Sequence, residues 1–136
     1  MKFKENIIVE NDGAEYATTS LAGTHTVIGD EPEDHGGTNE GPTAHQYLLS
    51  ALGMCIAITL RMYANRKEWD LKKVLVHLNM EKNPEDNGES TIIYKRVELQ
   101  GNLDADQKKR LMIISEKCPV HKTLLSPIHI REFAEP

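Results

Sequence analysis

The sequence predicts an α+β domain with antiparallel strands, and three observations predict it. The stretch YLLSALGMCIAITLRMY, residues 47–63, carries no charge before Arg61 and is too long for a strand. Two segments that alternate apolar and polar residues, LKKVLVHLNMEK and TIIYKRVELQ, flank the breaker-rich turn NPEDNGES. A helix-start signal at DADQ follows them. Strands that come in groups, with helices segregated from them, favour antiparallel pairing over a doubly wound sheet.

Taken in order, the chain begins with short strands at residues 6–9, 15–20 and 25–28, separated by turns at Asn11-Asp12-Gly13 and Leu21-Ala22-Gly23. The segment GDEPEDHGGTNEG, residues 29–41, is acidic and rich in breakers, and reads as a surface loop. Pro42 and Thr43 then signal a helix that should run to about Lys67. Ala51, Leu52, Met54, Ile56, Ala57, Ile58 and Leu60 point all round its axis at about 100° per residue, so no face is left for water between Leu48 and Leu60. Such a helix belongs at the centre of a core, and in so short a chain a second copy is expected to cover it. A bilayer span needs about 20 predominantly apolar residues. This run is cut by Arg61, Asn65, Arg66, Lys67 and Glu68, so no membrane partner is expected.

Residues 71–82 set Val74, Val76, Leu78 and Met80 against Lys73, His77, Asn79 and Glu81, the period of a half-buried strand. Residues 91–100 form the returning strand, with β-branched and aromatic residues throughout. Asp104 should cap the amide of Gln107 and start a helix whose Leu111, Ile114 and Cys118 share one stripe. Pro119 ends it, a short helix covers residues 119–125, and a last strand is expected near residues 128–132. No repeat or linker interrupts the chain, which reads as a single domain over residues 1–136.

With 136 residues, 39% hydrophobic and 27% charged, the chain has the composition of a globular protein that needs no staples. Its formal charge of −5 and lack of a basic stripe argue against nucleic acid as a partner. The opening MKFKENIIVE holds no apolar run of secretory length, so a cytoplasmic location is expected. Two cysteines, Cys55 and Cys118, match neither a disulfide framework nor a four-cysteine zinc site. In a reducing compartment such a pair does redox work or merely packs.

The stretch CPVH, residues 118–121, is informative about that choice. Pro119 suits the first position of a helix, which places Cys118 at the cap, where free amides and the helix dipole stabilise a thiolate and lower the pKa. His121 lies on the same turn, able to add a charge or a hydrogen bond; the bland alternative is a plug at the junction and a surface histidine. Cys55 differs, since Ala51, Leu52, Thr59 and Met62 surround it on its helix and apolar surroundings raise a thiol pKa. Arg61 points away from it at about 240°, and neither Arg61 nor Arg66 is an obvious activator.

The loop GGTNEGPT, the long helix with GMC and TLRMYANRKEW, the hairpin, the capped helix and KCPVHKTL occur in an order that resembles the OsmC/Ohr family, especially its OsmC-like branch. The resemblance covers nearly the whole chain. It implies antiparallel sheets wrapped around long central helices in an interlocked homodimer. It also implies a cofactor-free cysteine peroxidase for small organic hydroperoxides. Cys55 would attack the peroxide to give a sulfenic acid, Cys118 would resolve it as a disulfide, and a thiol reductant, dihydrolipoyl groups in some members, would restore the pair. In such peroxidases an arginine from the N-terminal strands activates the first cysteine and is held by a glutamate about ten positions before it. Here the first 60 residues contain no arginine, and His45 and Gln46 stand at or next to the glutamate position. Lys2 and Lys4 are the basic residues of the N-terminal strands, with His25, His35 and His45 as other candidate cations. Weak or atypical peroxide reduction is therefore expected.

Two other classes stay open. In one, the helix interface keeps an apolar pocket for a small ligand, the dimer is a non-catalytic binding module and the thiols are incidental. In the other, Cys55, Cys118, His121 and His45 bind a metal, although the second C-x-x-C or H-x-x-x-H of a zinc site is absent and no metal is expected. His77 and His129 read as solvated strand residues.

Overall fold

The structure is a computed structural model that describes residues 7–13 and 15–133. Lys2 and Lys4, considered above as cations, lie outside the described residues. The described residues fall into two compact units, divided between Leu48 and Leu49.

In the first unit, β1 (Ile7–Glu10), β2 (Thr18–Ala22) and β3 (His25–Gly29) make an antiparallel meander in chain order. Ala22 pairs with His25, so the β2–β3 hairpin turns at Gly23-Thr24 alone, and Leu21 and Ala22 are strand residues rather than turn residues. Gly23 adopts φ 62°, the left-handed conformation that a two-residue hairpin demands and that glycine tolerates. Ile7, Ile8, Val9, Leu21, Val27 and Ile28 are all exposed.

The acidic loop is more ordered than its composition implies. Asp30 is 5% exposed. Its carboxylate accepts from the Glu31 amide at 2.7 Å, the Thr38 hydroxyl at 2.8 Å and the Glu40 amide at 3.0 Å, so one side chain ties both ends of the loop together. Those bonds, led by the Glu40 amide, hold its carboxyl below the usual aspartate range against the opposing effect of burial.

Helix α1 (Ala44–Lys67) starts in the first unit and continues into the second. Thr43 and Gln46 form a reciprocal cap: the Thr43 amide donates to Gln46 Oε1 at 2.9 Å and the Gln46 amide to Thr43 Oγ1 at 3.2 Å. The strands β4 (Asp70–Lys82) and β5 (Thr91–Asn102) form a long antiparallel hairpin, with Val74 opposite Leu99, Val76 opposite Val97 and Met80 opposite Ile93. Helix α2 (Ala105–Ser115) opens on the expected Asp104–Gln107 capping box, and α3 (Pro119–Leu125) follows. Leu52, Ile56, Leu60 and Ala64 of α1 are buried with Leu71, Leu111, Ile114 and Cys118, and the inner rows of the hairpin pack on this cluster. Gly53 lets α1 approach closely, because a Cβ there would stand 2.8 Å from Leu78 Cδ1.

Helix α1 does not hide its whole circumference within one chain. Met54, Ile58 and Met62, one turn apart, are 58%, 59% and 67% exposed. By length and composition alone α1 would pass as a bilayer span. Its buried stripe against the hairpin, and Arg61, whose guanidinium donates to the Leu71 and Lys72 carbonyls, fit a core helix instead.

The expected last strand is not formed: residues 128–132 have no ladder partner among the described residues and are exposed, Ile130 to 94%. Alternation of Ile128 and Ile130 suits a strand, but a strand exists only where another offers its backbone hydrogen bonds.

The Asp30 loop yields a pH signature. Its folded-state pKa lies below the ordinary 3.8, so its stabilisation is fully present above the unfolded value and is lost as pH falls through the depressed folded value. Asp30→Asn should therefore melt at a lower temperature than wild type above about pH 5, with the two melting curves converging at strongly acid pH. Thermal melts across the acid range check this.

Candidate active site

The first turn of α3 gathers both thiols. Cys118 is its N-cap, with Pro119 at the first helical position, and its sulfur accepts from the His121 amide at 3.3 Å. The neighbouring amide, that of Val120, donates to Cys55 Sγ at 3.5 Å. Cys118 thus draws on both free amides of the helix start, and Cys55 shares that of Val120. Cys55 comes from the middle of α1, on the border between the buried stripe and the open Met54–Met62 stripe. Both cysteines are reduced, Cys118 fully buried and Cys55 partly so.

The expected acidic Cys118 is not found. Burial pushes its thiol up, the hydrogen-bonded Cys55 thiol adds to that, and the His121 amide pulls the other way without prevailing. A short helix start supplies little field, whereas a thiol with no exposed surface loses its hydration entirely.

The other sequence-predicted residues divide. The His121 backbone belongs to the site, while its half-buried imidazole makes no hydrogen bond among the described residues and lines a cavity. Gln46 is engaged in the helix cap with Thr43, and His45 beside it is exposed; both stand on the first turn of α1, in the N-terminal unit. Arg61 is held by β4 carbonyls, and Arg66 lies 5.2 Å from the Tyr63 ring centre. Among the described residues, no cationic side chain donates to Cys55 Sγ, and no three His, Cys, Asp or Glu side chains assemble as a metal site.

A cavity of about 180 Å³ adjoins the site, walled by Leu52, Ile93, Leu124 and Leu125, with Thr91, Lys95 and His121 as its polar members. Leu52 lies one helical turn before Cys55, and His121 holds Cys118. Lys95 escapes a search for motifs. Its signal is its phase: it stands in register with Thr91, Ile93, Val97 and Leu99, a lysine in an otherwise inward-facing row.

The geometry agrees with what the family comparison finds. The model of the OsmC-like proteins matches residues 37–132. The chain belongs to the OsmC family. Among solved structures, an OsmC-like protein from Mycoplasma pneumoniae superposes with a TM-score of 0.74 at 23% identity, covering 91% of this chain and 89% of that one. An organic hydroperoxide resistance protein OsmC, described as a predicted redox protein, from Legionella pneumophila gives 0.63 at 18% identity, with 91% and 92% covered. The organic hydroperoxide resistance protein OhrB of Bacillus subtilis gives 0.63 at 19% identity, with 90% and 91% covered. These likenesses establish the OsmC fold for this chain. A comparison with curated protein sequences finds no match.

Burial and charge order the two thiols of this OsmC protein by accessibility. At neutral pH iodoacetamide should modify Cys55 well before Cys118, because Cys118 is fully buried and that burial pushes its own thiol pKa up. Peptide mapping of briefly alkylated native protein, with denatured protein as the reference, reads the order; equal labelling of both in the native state would contradict it.

Proposed function

We propose that this OsmC protein is a thiol-dependent reductase of small organic hydroperoxides, acting as a homodimer. The observation that carries the reading is the pairing of Cys55 and Cys118 on consecutive amides of α3, which brings the two sulfurs within hydrogen-bonding reach. The Cys55 thiolate attacks the distal peroxide oxygen, the O–O bond breaks and the alkoxide leaves as an alcohol after taking a proton. The resulting sulfenic acid is attacked by Cys118, a disulfide forms and water departs; a dithiol of the dihydrolipoyl type reduces the disulfide by exchange. The Val120 amide supports the sulfur of Cys55, and partial burial limits the water that would compete.

The reading includes slow turnover at neutral pH. Only thiolate attacks, and Cys55 has an amide rather than a guanidinium beside it, with Arg61 and Arg66 engaged elsewhere. Reduction of t-butyl hydroperoxide with a dithiol reductant should be measurable but slow at neutral pH. It should vanish in Cys55→Ser, and limited peroxide should leave a linked Cys55–Cys118 peptide pair. Fast turnover at neutral pH would refute the slow-activation argument, and two separately alkylatable thiols after oxidation would refute the mechanism.

A second reading, a non-catalytic binding module, draws on the apolar cavity of about 180 Å³. It gives no turnover under those conditions with the thiols left reduced.

The homodimer is supported by apolar surface that one chain leaves open: the Met54, Ile58 and Met62 stripe, and Ile7, Ile8 and Val9 on β1. A second copy that covers the helix stripe also shields the flank on which Cys55 sits. Sedimentation of wild type at micromolar concentration should give a dimer, and Ile58→Asp, which sets a carboxylate in that stripe, should give monomer or fail to fold. A monomeric, cooperatively folded wild type would refute it.

A further inference from the structure

Lys95 is the residue of the second unit that its surroundings explain least. It stands on the inner row of β5 between Ile93 and Val97, both packed against the core, and directly opposite Leu78 on β4. Lysine is depleted on inner rows because its ammonium loses hydration there unless it is paired. Among the described residues it has no carboxylate partner and no hydrogen bond. The nearest acids along the hairpin face the other way and are engaged: Glu98 with His77 at 2.6 Å, and Glu81 with the Tyr94 hydroxyl at 2.8 Å. Lys95 instead lines the cavity of about 180 Å³, together with His121 and the apolar Leu52, Ile93, Leu124 and Leu125.

We propose that this cavity is a binding site for small aliphatic carboxylates, in which the Lys95 ammonium takes the carboxylate and Leu52, Ile93, Leu124 and Leu125 take the chain. The volume sets the size. A dry cavity of about 150 Å³ holds benzene, so this one suits a ligand of about six to nine heavy atoms, such as hexanoate. The charge sets the class: a cation without a partner in a mostly apolar wall favours an anion over an alcohol or amine of the same length. Thr91 and the imidazole of His121 offer further hydrogen bonds to the carboxylate.

The experiment separates binding from chemistry by using full-length Cys55→Ser protein, which cannot turn over. Titration with hexanoate, hexanol and hexylamine, followed by amide chemical shifts, should show hexanoate binding at least about tenfold more tightly than the other two, a difference of about 1.4 kcal/mol. The shifts should centre on β5 and α3, and the hexanoate affinity should fall as salt rises. Lys95→Met should abolish the preference while keeping hexanol binding, and Lys95→Arg should retain it. Equal affinities for hexanoate and hexanol, no binding of hexanoate, or an unchanged preference in Lys95→Met would each overturn the proposal. The three-ligand comparison on protein with Lys95 intact decides the matter even if Lys95→Met fails to fold. Absence of peroxide turnover in wild type, with hexanoate still bound, would remove the catalytic reading and leave the carboxylate site standing.

Discussion

The close seating of α1 on the β4–β5 hairpin is the constraint from which the site follows. Gly53 has no side chain, and the space a Cβ would take belongs to Leu78. Two residues later comes Cys55, so the height of the helix above the inner rows fixes where its sulfur stands relative to α3. A Cβ at position 53 would press first on a Leu78 methyl, whose side chain can turn aside, so the larger the residue there the more the Leu78 and Val76 side chains must give. A helix interior normally disfavours glycine by about 1 kcal/mol relative to alanine.

From that seat the electrostatics are set by burial more than by the helix dipole. The N-cap position of Cys118 offers its sulfur an amide, yet the fully buried thiol keeps its proton more firmly than a solvated one would. The Val120 amide, shared between the two sulfurs, is divided support for each of them. Neither sulfur has a cationic side chain bonded to it among the described residues, so backbone amides are the donors that reach them.

Much of this was legible in residue order. The alternation through β4 was readable because side chains of a strand change face at every residue, and the Asp104–Gln107 box because its spacing matches one helical turn. Pro119 correctly marked Cys118 as a cap. What was not legible depends on distant partners. The lack of a strand at residues 128–132 turns on whether a neighbouring edge exists, which no local pattern records. The direction of the Cys118 shift turns on the packing of α1 against α3, and the order of the acidic loop on Asp30 reaching residues 38 and 40. Gln46 stood out for replacing an expected glutamate, while its visible role, the reciprocal cap with Thr43, was readable from the T-x-x-Q spacing alone. Lys95 was visible in phase but silent as a motif.

The corner where α1 gives way to β4 has a practical use. Trp69 is the chain's single tryptophan, and it meets the Tyr63 ring edge-on at 5.5 Å between centres. Tyr63 in turn receives a hydrogen bond from Arg110 of α2 at 3.0 Å. Indole fluorescence therefore comes from one place, where helix, strand and second helix converge, and is not an average over several environments. A change in its emission reports that this corner has opened, with no label attached and without disturbing either sulfur.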